Sequence, residues 1–267
     1  MGTVARVRHA VSQALAGRTA VVTGAGNGLG RAISRTLAAA GARVILIGRD
    51  SGKLATAAEE MKLSGASVDA VAGDVSDPEA AARIQAQLAG EDISILVNNA
   101  GIGGPVAQLI DIDPSDWDEV FAVNVRGVFL MCQAFLPGMI ARGGGDIVNI
   151  ASVTGKRPLP GRTPYAASKM AVIGLTATLA QEVGSLGVMV NSLSPGFVRG
   201  PRMERNFRLE AARRGMTQQQ VQDEFLARTV LGRMIEEEEV ADAVTAILTM
   251  HGMTAADIDL SGGMVAR

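Results

Sequence analysis

Cysteine and histidine are scarce in this chain, and their scarcity excludes several kinds of functional site. The one cysteine, Cys132, cannot form an internal disulfide or a metal site built from several thiolates. The two histidines, His9 and His251, lie far apart in sequence, and neither neighbours a nucleophile or a cluster of carboxylates. Catalysis by histidine and ligation of a metal by histidine are therefore not expected. We predict a protein that needs no metal.

Strong net charge, aromatic rings and long apolar runs are also missing. The formal net charge is −2 and 3% of residues are aromatic, so neither a positive field nor stacking surfaces are present to bind nucleic acid. Gly, Pro, Asn or a charged residue interrupts every hydrophobic run before it approaches the ~20 residues of a membrane helix. We expect a cytoplasmic protein without nucleic-acid or membrane partners.

What the chain does have is a regular alternation of two patterns. Short β-branched runs alternate with longer segments in which apolar residues recur with a helical period, which is typical of βαβ units on a parallel sheet. The predicted strands are Thr19–Val22, Val44–Ile47, Val68–Val71, Ile93–Val97, Ile147–Ile150, Met189–Leu193 and Ile258–Leu260. The predicted helices are Leu29–Ala40, Lys53–Leu63, Pro78–Leu88, Ser115–Ile140, Tyr165–Leu186 and Glu236–Met250. The pattern predicts an α/β, doubly wound Rossmann-type fold with a seven-stranded parallel sheet and helices on both faces.

One domain accounts for the whole alternation, since no Pro/Ser/Gly linker and no internal repeat divides it. We assign residues 1–16 to an N-terminal extension and residues 17–267 to a single dinucleotide-binding catalytic domain. Residues 199–231 are polar and helix-prone, and they separate the sixth strand from the last helix. Because insertions at the carboxyl ends of such strands tend to cover the active site, we predict a substrate-covering insert there.

A glycine-rich loop joins the first strand to the first helix, with the sequence Thr23-Gly24-Ala25-Gly26-Asn27-Gly28-Leu29-Gly30. In this context glycines let backbone amides approach a pyrophosphate at a helix N-terminus. The spacing departs from the general Gly-x-Gly-x-x-Gly fingerprint. Taken alone, the loop is compatible with either a dinucleotide site or a generic turn.

The end of the second strand bears on the choice of cofactor. An NAD site places a carboxylate there for the ribose 2′-hydroxyl, but this chain has Gly48 followed by Arg49. A guanidinium can instead pair with a 2′-phosphate through a forked, charge-assisted contact. We therefore expect NADP to be preferred over NAD, although the adjacent Asp50 weakens that preference.

Tyr165 and Lys169 are separated by one helical turn, so they lie on the same helix face. A nearby ammonium favours the phenolate of a tyrosine, whose ordinary pKa of about 10 would otherwise make it a poor base. In isolation, such a pair is most simply explained as two side chains that extend over an exposed helix face. Ser152, thirteen residues before Tyr165, closes the fifth strand and favours a catalytic interpretation.

Six features in order make the sequence similar to the short-chain dehydrogenase/reductase family, in its single-domain branch of about 250 residues. They are Thr23–Gly30, Asp74-Val75, Asn98-Asn99-Ala100-Gly101, Asn124, Ser152 with Tyr165 and Lys169, and Pro195-Gly196. The resemblance extends over nearly the whole of residues 17–263. It implies an oxidoreductase that transfers hydride between a nicotinamide cofactor and a secondary alcohol/ketone pair, with a small-molecule substrate and a homotetrameric assembly.

The resemblance also implies a role for each matching residue. Tyr165 would be the general acid/base, Ser152 would hydrogen-bond the substrate oxygen, and Lys169 would bind the cofactor ribose and lower the pKa of Tyr165. Asn124 would complete the catalytic set by holding a water that links Lys169 to solvent. The residues expected to bind the cofactor are Thr23, Gly24, Gly26, Asn27, Gly28, Leu29, Gly30, Arg49, Asp74, Val75, Asn98, Ala100, Gly101, Tyr165, Lys169, Pro195, Gly196 and Val198.

Two questions stay open at this point. A catalytically silent, cofactor-binding regulatory protein is the alternative function; it predicts a broken catalytic set, whereas all four residues of the set are present. The substrate is the other question, and a 3-oxoacyl or other acidic compound is suggested by the arginines of the insert. These are Arg199, Arg202, Arg205, Arg208, Arg213 and Arg214, against Glu204 and Glu210. A solvated helix face would explain the same residues.

Overall fold

A seven-stranded parallel sheet forms the centre of the molecule, in a computed structural model that describes residues 13–265. The strands are β1 (Thr19–Thr23), β2 (Arg43–Gly48), β3 (Val68–Ala72), β4 (Ile93–Asn98), β5 (Gly145–Ile150), β6 (Val188–Pro195) and β7 (Asp257–Leu260). Their order across the sheet is β3-β2-β1-β4-β5-β6-β7. The chain therefore reverses its direction of winding between β1 and β4, which pair in register from Ala20 and Ile95 onward. The predicted doubly wound fold is confirmed.

Helices cover both faces of the sheet. They are α1 (Gly28–Ala39), α2 (Ser51–Leu63), α3 (Pro78–Gln87), α4 (Pro114–Phe121), α5 (Gly127–Ala141), α6 (Thr163–Val183), α7 (Pro201–Arg214), α8 (Gln218–Leu226) and α9 (Glu237–Thr249). Aspartates begin three of them, because Asp50, Asp77 and Asp113 each accept a hydrogen bond from a backbone N–H of the first turn. Proline follows two of these caps, at a position where no N–H is needed.

Each face of the sheet buries its own apolar cluster. On one face α1, α2 and α9 pack side chains such as Ile33, Leu54 and Val244 against the strands. On the other face α3, α5 and α6 contribute Ile84, Met131 and Val172 among others. The continuous apolar strands buried on both sides are what a parallel sheet with two helical layers requires.

The long predicted helix Ser115–Ile140 is interrupted in the structure. A single π-helical turn, Ala122–Arg126, joins α4 to α5 without a break in the helical path. Such turns insert an extra residue and are frequent at functional sites. Asn124 lies within this turn and is fully buried.

The same helical stretch, Pro114–Ala141, passes a length and composition test for a membrane span, with a mean hydropathy of 1.5 over 18 residues. No stretch of this length and hydropathy was expected from the sequence, where polar residues and glycine interrupt the apolar runs. Met131 and Met139 on this stretch are both fully buried in the cluster against the sheet. A core helix of this kind passes the same test.

The predicted insert folds as two helices, α7 and α8. They enclose a third, smaller apolar cluster that includes Phe197, Phe207 and Val221. At the other end of the chain Leu15, which lies within the predicted N-terminal extension, is 1% exposed and belongs to the apolar cluster on the side of α1, α2 and α9. The rest of the predicted extension, residues 1–12, lies outside the described residues.

Candidate active site

A cleft of about 1060 Å³ runs along the carboxyl ends of the strands, across the point where the winding reverses. Ligands bind at this place in doubly wound sheets because the loops that follow neighbouring strands diverge there. The glycine loop lines one part of the cleft and the insert lines another, while Ser152, Tyr165 and Lys169 lie between.

The glycine loop owes its shape to close backbone approaches. Gly24 has φ +67°, which favours glycine, and a Cβ on Gly30 would lie 2.2 Å from the carbonyl oxygen of Gly24. No side chain fits at Gly30, so the first turn of α1 lies directly against the loop. The backbone geometry fits a pyrophosphate bound at the N-terminus of α1.

Thr23 and Asn98, both predicted to bind the cofactor, do not line the cleft. The hydroxyl of Thr23 accepts hydrogen bonds of 3.0 Å from the backbone N–H groups of Asn99 and Ala100, so it ties the end of β1 to the end of β4. Asn98 is 3% exposed, and its amide donates to Asn149 Oδ1 in the core. Both residues support the cleft from behind.

Asn99, part of the predicted Asn98–Gly101 motif, contacts the glycine loop with its side chain. Its side-chain amide donates a 2.9 Å hydrogen bond to the carbonyl oxygen of Thr23. The same amide nitrogen is where a Cβ on Gly30 would also collide, at 2.5 Å. Asn99 therefore fixes the glycine loop from the neighbouring strand.

The second strand ends beside the glycine loop, where a Cβ on Gly26 would lie 3.2 Å from Lys53 Cβ. Gly48, Arg49, Asp50 and Lys53 all line it. The carboxylate of Asp50 accepts a 3.0 Å hydrogen bond from the backbone N–H of Lys53 and lies 3.1 Å from its ammonium, which lowers the pKa of Asp50. Arg49 is largely exposed and lies 3.7 Å from Asp74.

Ser152, Tyr165 and Lys169 converge at the centre of the cleft. Ser152 lies two residues after the end of β5, and its hydroxyl caps a short turn by accepting from the N–H of Thr154. Lys169 is 3% exposed and donates a 2.7 Å hydrogen bond to the carbonyl oxygen of Ile150. Its ammonium lies 5.8 Å from the centre of the Tyr165 ring.

These neighbours change the acidity of Tyr165. Burial by itself raises the pKa of the phenol, but the positive charges of Lys169 and Arg202 and a hydrogen bond from Ser152 outweigh that effect. The pKa of Tyr165 is therefore below its ordinary value of 10.0. The arrangement can hold a phenolate next to a bound carbonyl or alcohol.

Asn124 stands behind this group and outside the cleft lining. Its side chain accepts a 2.8 Å hydrogen bond from the N–H of Ile102 and donates 3.0 Å hydrogen bonds to the carbonyl oxygen of Ile102 and to Ser168 Oγ. Ser168 in turn donates to the carbonyl oxygen of Tyr165. The side chain of Asn124 thus joins the loop after β4 to the first turns of α6.

The insert brings arginines into the cleft. Of the six predicted arginines, Arg199, Arg202, Arg213 and Arg214 line it, and Arg205 and Arg208 do not. Sequence reasoning did not identify Arg162 and Arg228, which line the cleft as well. The only signal for Arg162 was its place one helical turn before Tyr165.

An acidic side chain, Glu237 in the first turn of α9, lies at the glycine-loop end of the cleft. Its Oε1 is 3.4 Å from the place a Cβ on Gly28 would take. Burial, followed by the charge of Glu238, raises the pKa of Glu237 above its ordinary value. Glu236, Glu238 and Glu239 each form an ion pair with an arginine, whereas no ion pair to Glu237 is formed within residues 13–265.

The turn that follows Ser152 is fastened to the last strand. Lys156 forms ion pairs with Asp257 and Asp259 of β7, and all three side chains are largely buried. Asp257 also accepts hydrogen bonds of 2.7 and 2.8 Å from the hydroxyls of Ser192 and Ser194 on β6. The segment that carries Ser152 at the end of β5 is therefore held in place by contacts with β6 and β7.

The remaining predicted cofactor residues all line the cleft; these are Gly24, Gly26, Asn27, Gly28, Leu29, Gly30, Arg49, Asp74, Val75, Ala100, Gly101, Tyr165, Lys169, Pro195, Gly196 and Val198. The structure thus brings together residues from six of the seven strand ends. Within residues 13–265, no group of three or more His, Cys, Asp or Glu side chains is arranged to hold a metal ion.

Comparisons with known proteins agree with this geometry. The family model described as short chain dehydrogenase matches residues 18–212. The (3R)-3-hydroxyacyl-CoA dehydrogenase of Rattus norvegicus is 38% identical over 264 residues, covering 92% of this chain and 95% of that protein.

Two solved structures are similar in fold and sequence. Gluconate 5-dehydrogenase from Burkholderia cenocepacia J2315, in complex with NADP and tartrate, has a TM-score of 0.87 and 32% identity, covering 96% of this chain and 98% of that one. NAD+-bound xylitol dehydrogenase has a TM-score of 0.88 and 28% identity, covering 93% and 99%.

Proposed function

The chain belongs to the short-chain dehydrogenase/reductase family, and we propose that it is a cytoplasmic, NADP(H)-preferring member that acts on an acidic substrate. It is an oxidoreductase of a secondary alcohol/ketone pair. The observation that carries the proposal is the excess of arginine in the part of the cleft lined by Arg162 and the insert. Six arginines (Arg162, Arg199, Arg202, Arg213, Arg214 and Arg228) line this part, against two glutamates (Glu210 and Glu224).

The three central side chains divide the proton chemistry among them. A bound nicotinamide supplies or accepts the hydride at the substrate carbon. Tyr165 donates its hydroxyl proton to the substrate oxygen during reduction and takes it back during oxidation. Ser152 hydrogen-bonds the same oxygen, and Lys169 stabilises the phenolate because its ammonium is buried beside the ring. Asn124 keeps α6 in place for these contacts through Ser168.

The cofactor preference is supported by the side chains at the end of β2. The carboxylate of Asp50 caps α2 and pairs with Lys53, so both of its oxygens already have partners. It is therefore a poor acceptor for a ribose hydroxyl. Arg49 and Lys53 both line the cleft beside Gly48, where their present partners are Asp74 at 3.7 Å and Asp50 at 3.1 Å. A 2′-phosphate would be attracted to the two cationic side chains.

Fluorescence titration with NADPH and NADH tests this preference. We expect Arg49→Gln to weaken NADPH binding by about tenfold, the lower end of the value for a charge-assisted hydrogen bond, because the side chain is largely exposed. NADH binding should stay within about twofold. Arg31→Gln is the matched control, since Arg31 pairs with Glu60 and does not line the cleft. Equal weakening of both cofactors would contradict the preference.

A reduction screen tests the substrate class. Purified protein would be given neutral ketones, sugar ketones, oxo acids and oxoacyl thioesters with NADPH and NADH in parallel. The proposal expects the highest kcat/KM for substrates with a carboxylate or a phosphate. It is abandoned if uncharged ketones are reduced as efficiently as every charged relative.

We also propose a homotetramer. Phe129 on α5 and Met170 on α6 are about half exposed, although both are large and apolar, and such side chains are typical of protein interfaces. Sedimentation of the purified protein at micromolar concentration measures the assembly. A monomer under those conditions would exclude it.

A further inference from the structure

We propose that Arg162 binds a carboxylate of the substrate, and that this carboxylate lies only a few bonds from the carbonyl that reacts at Tyr165. The inference rests on the function proposed above and narrows it to short oxo acids and hydroxy acids in their free form. A phosphate at the far end of a long carrier would not meet the same residue.

The first observation is the burial of an arginine that has no ion pair. Arg162 is 7% exposed, and its guanidinium donates to two neutral acceptors, Asn206 Oδ1 at 2.9 Å and the carbonyl oxygen of Gly103 at 3.0 Å. Within residues 13–265, no carboxylate forms an ion pair with it; the charge of Glu210 acts on it from beyond ion-pair distance, and that carboxylate is engaged by Arg213 at 2.6 Å. A buried charge is costly unless a counter-charge accompanies it, so a ligand is the group that can supply one.

The second observation is the place of the guanidinium in the cleft. Its central carbon lies 5.2 Å from the centre of the Tyr165 ring, and the residue lines the cleft that Ser152 and Lys169 also line. Two hydrogen bonds use only part of the five N–H donors of an arginine. The remaining donors form a planar fork, whose geometry matches the two oxygens of a carboxylate.

The third observation concerns the neighbouring charges. Arg202 donates to the carbonyl oxygen of Gly101 and acts electrostatically on both Arg162 and Tyr165. Two guanidiniums and one ammonium therefore surround a single phenol. A carboxylate beside Arg162 would relieve the repulsion between these cations.

Another role for Arg162 would be to lower the pKa of Tyr165, to which its charge contributes. Such an effect would be the same for every substrate, charged or neutral. Recognition of a carboxylate depends on the substrate, so the two roles separate in one experiment.

The test compares each free acid with its methyl ester, using pyruvate with methyl pyruvate and acetoacetate with methyl acetoacetate. The ester removes the charge and keeps the carbonyl. For the better acid we expect Arg162→Gln to raise KM by at least about tenfold, the loss of one charge-assisted hydrogen bond. The KM for its ester should stay within about twofold. Arg162→Lys should recover part of the loss, because it keeps the charge without the fork.

Arg208→Gln is the matched control, because Arg208 is exposed on α7 and does not line the cleft. Thermal melting and NADPH binding of each variant verify that it is folded. If the wild-type protein reduces neutral ketones but no acid, the proposed substrate class fails, and this inference with it. If the wild-type protein prefers acids and Arg162→Gln keeps that preference, the proposed role of Arg162 is excluded and the proposed substrate class remains. The role of Arg162 in carboxylate binding would also be overturned if Arg162→Gln shifted the pH profile and lowered kcat/KM equally for the acid and its ester.

Discussion

The chain contains one tyrosine, so the near-ultraviolet absorbance of phenolate reports Tyr165 without interference. Burial would raise the pKa of Tyr165, but Lys169, Arg202 and Ser152 together lower it below 10.0. We predict that the phenolate signal of the native protein appears at a lower pH than that of the urea-unfolded protein. Lys169→Met should move the signal to higher pH, because burial remains while the nearest ammonium is lost.

The same ionisation sets the pH dependence of the reaction. Oxidation of an alcohol needs the phenolate, so its rate should rise with pH through the pKa of Tyr165. Reduction of a ketone needs the protonated phenol, so its rate should fall through the same pKa.

Tyr165→Phe removes the proton donor. We expect kcat to decrease by about 10²- to 10⁴-fold, the usual contribution of general acid/base catalysis. The free energy of unfolding should change by no more than about 1.5 kcal/mol, since one hydrogen bond is lost.

Lys62→Met provides the control for Lys169→Met, because Lys62 is an exposed residue of α2 far from the phenol in sequence. A lowered pKa of Tyr165 is refuted if the phenolate signal of the native protein appears with a pKa at or above 10.0. The catalytic role of Tyr165 is equally refuted if Tyr165→Phe retains wild-type activity. A wild-type protein that turns over no substrate would instead favour the alternative of a catalytically silent protein.

Three further predictions concern other parts of the molecule. Gly30→Ala should abolish cofactor binding in fluorescence titration, because its Cβ would lie 2.2 Å from the carbonyl oxygen of Gly24. Glu237→Gln should strengthen NADPH binding at neutral pH: the affinity of the wild-type protein should decrease as Glu237 ionises with rising pH, and that of the variant should not. Glu238→Gln should keep this dependence but move it to lower pH, because the charge of Glu238 helps to raise the pKa of Glu237. Cys132 should react with thiol reagents only after unfolding, since burial raises its pKa to about 12.

The first of these predictions has a control within the same protein. Gly174 lies in the middle of α6, and nothing lies within 4 Å of a Cβ placed there. Gly174→Ala should therefore raise stability by up to about 1 kcal/mol, as expected for a helix interior. Normal cofactor binding by Gly30→Ala, or a lower affinity for NADPH in Glu237→Gln, would contradict the geometry of the glycine loop.

The sequence predicted the sheet well because periodicity is a local property. All seven predicted strands are present, with boundaries extended by one or two residues at most ends. The π-helical turn at Asn124 was missed since the apolar pattern continues across it. An extra residue in one turn changes the direction of a side chain without removing the helix.

The sequence identified the site residues that belong to recognisable motifs, but not those that reach the site from elsewhere in the fold. Arg162 hydrogen-bonds Gly103, in the loop after β4, and Asn206, in α7, so no local pattern could indicate its contacts. Thr23 and Asn98 match a motif, but their side chains turn inward to connect strands. A motif identifies which residues occur together; the packing decides which of them face the ligand.

The ion pairs of Lys156 with Asp257 and Asp259 have a consequence for heat inactivation. They connect the turn after Ser152 to β7, a strand of four residues at the edge of the sheet. Short edge elements open more readily than the centre of a sheet. Opening of β7 would release this turn while the glycine loop and its strands remain folded. As the temperature rises, the protein should therefore stop turning over substrate before it releases its cofactor.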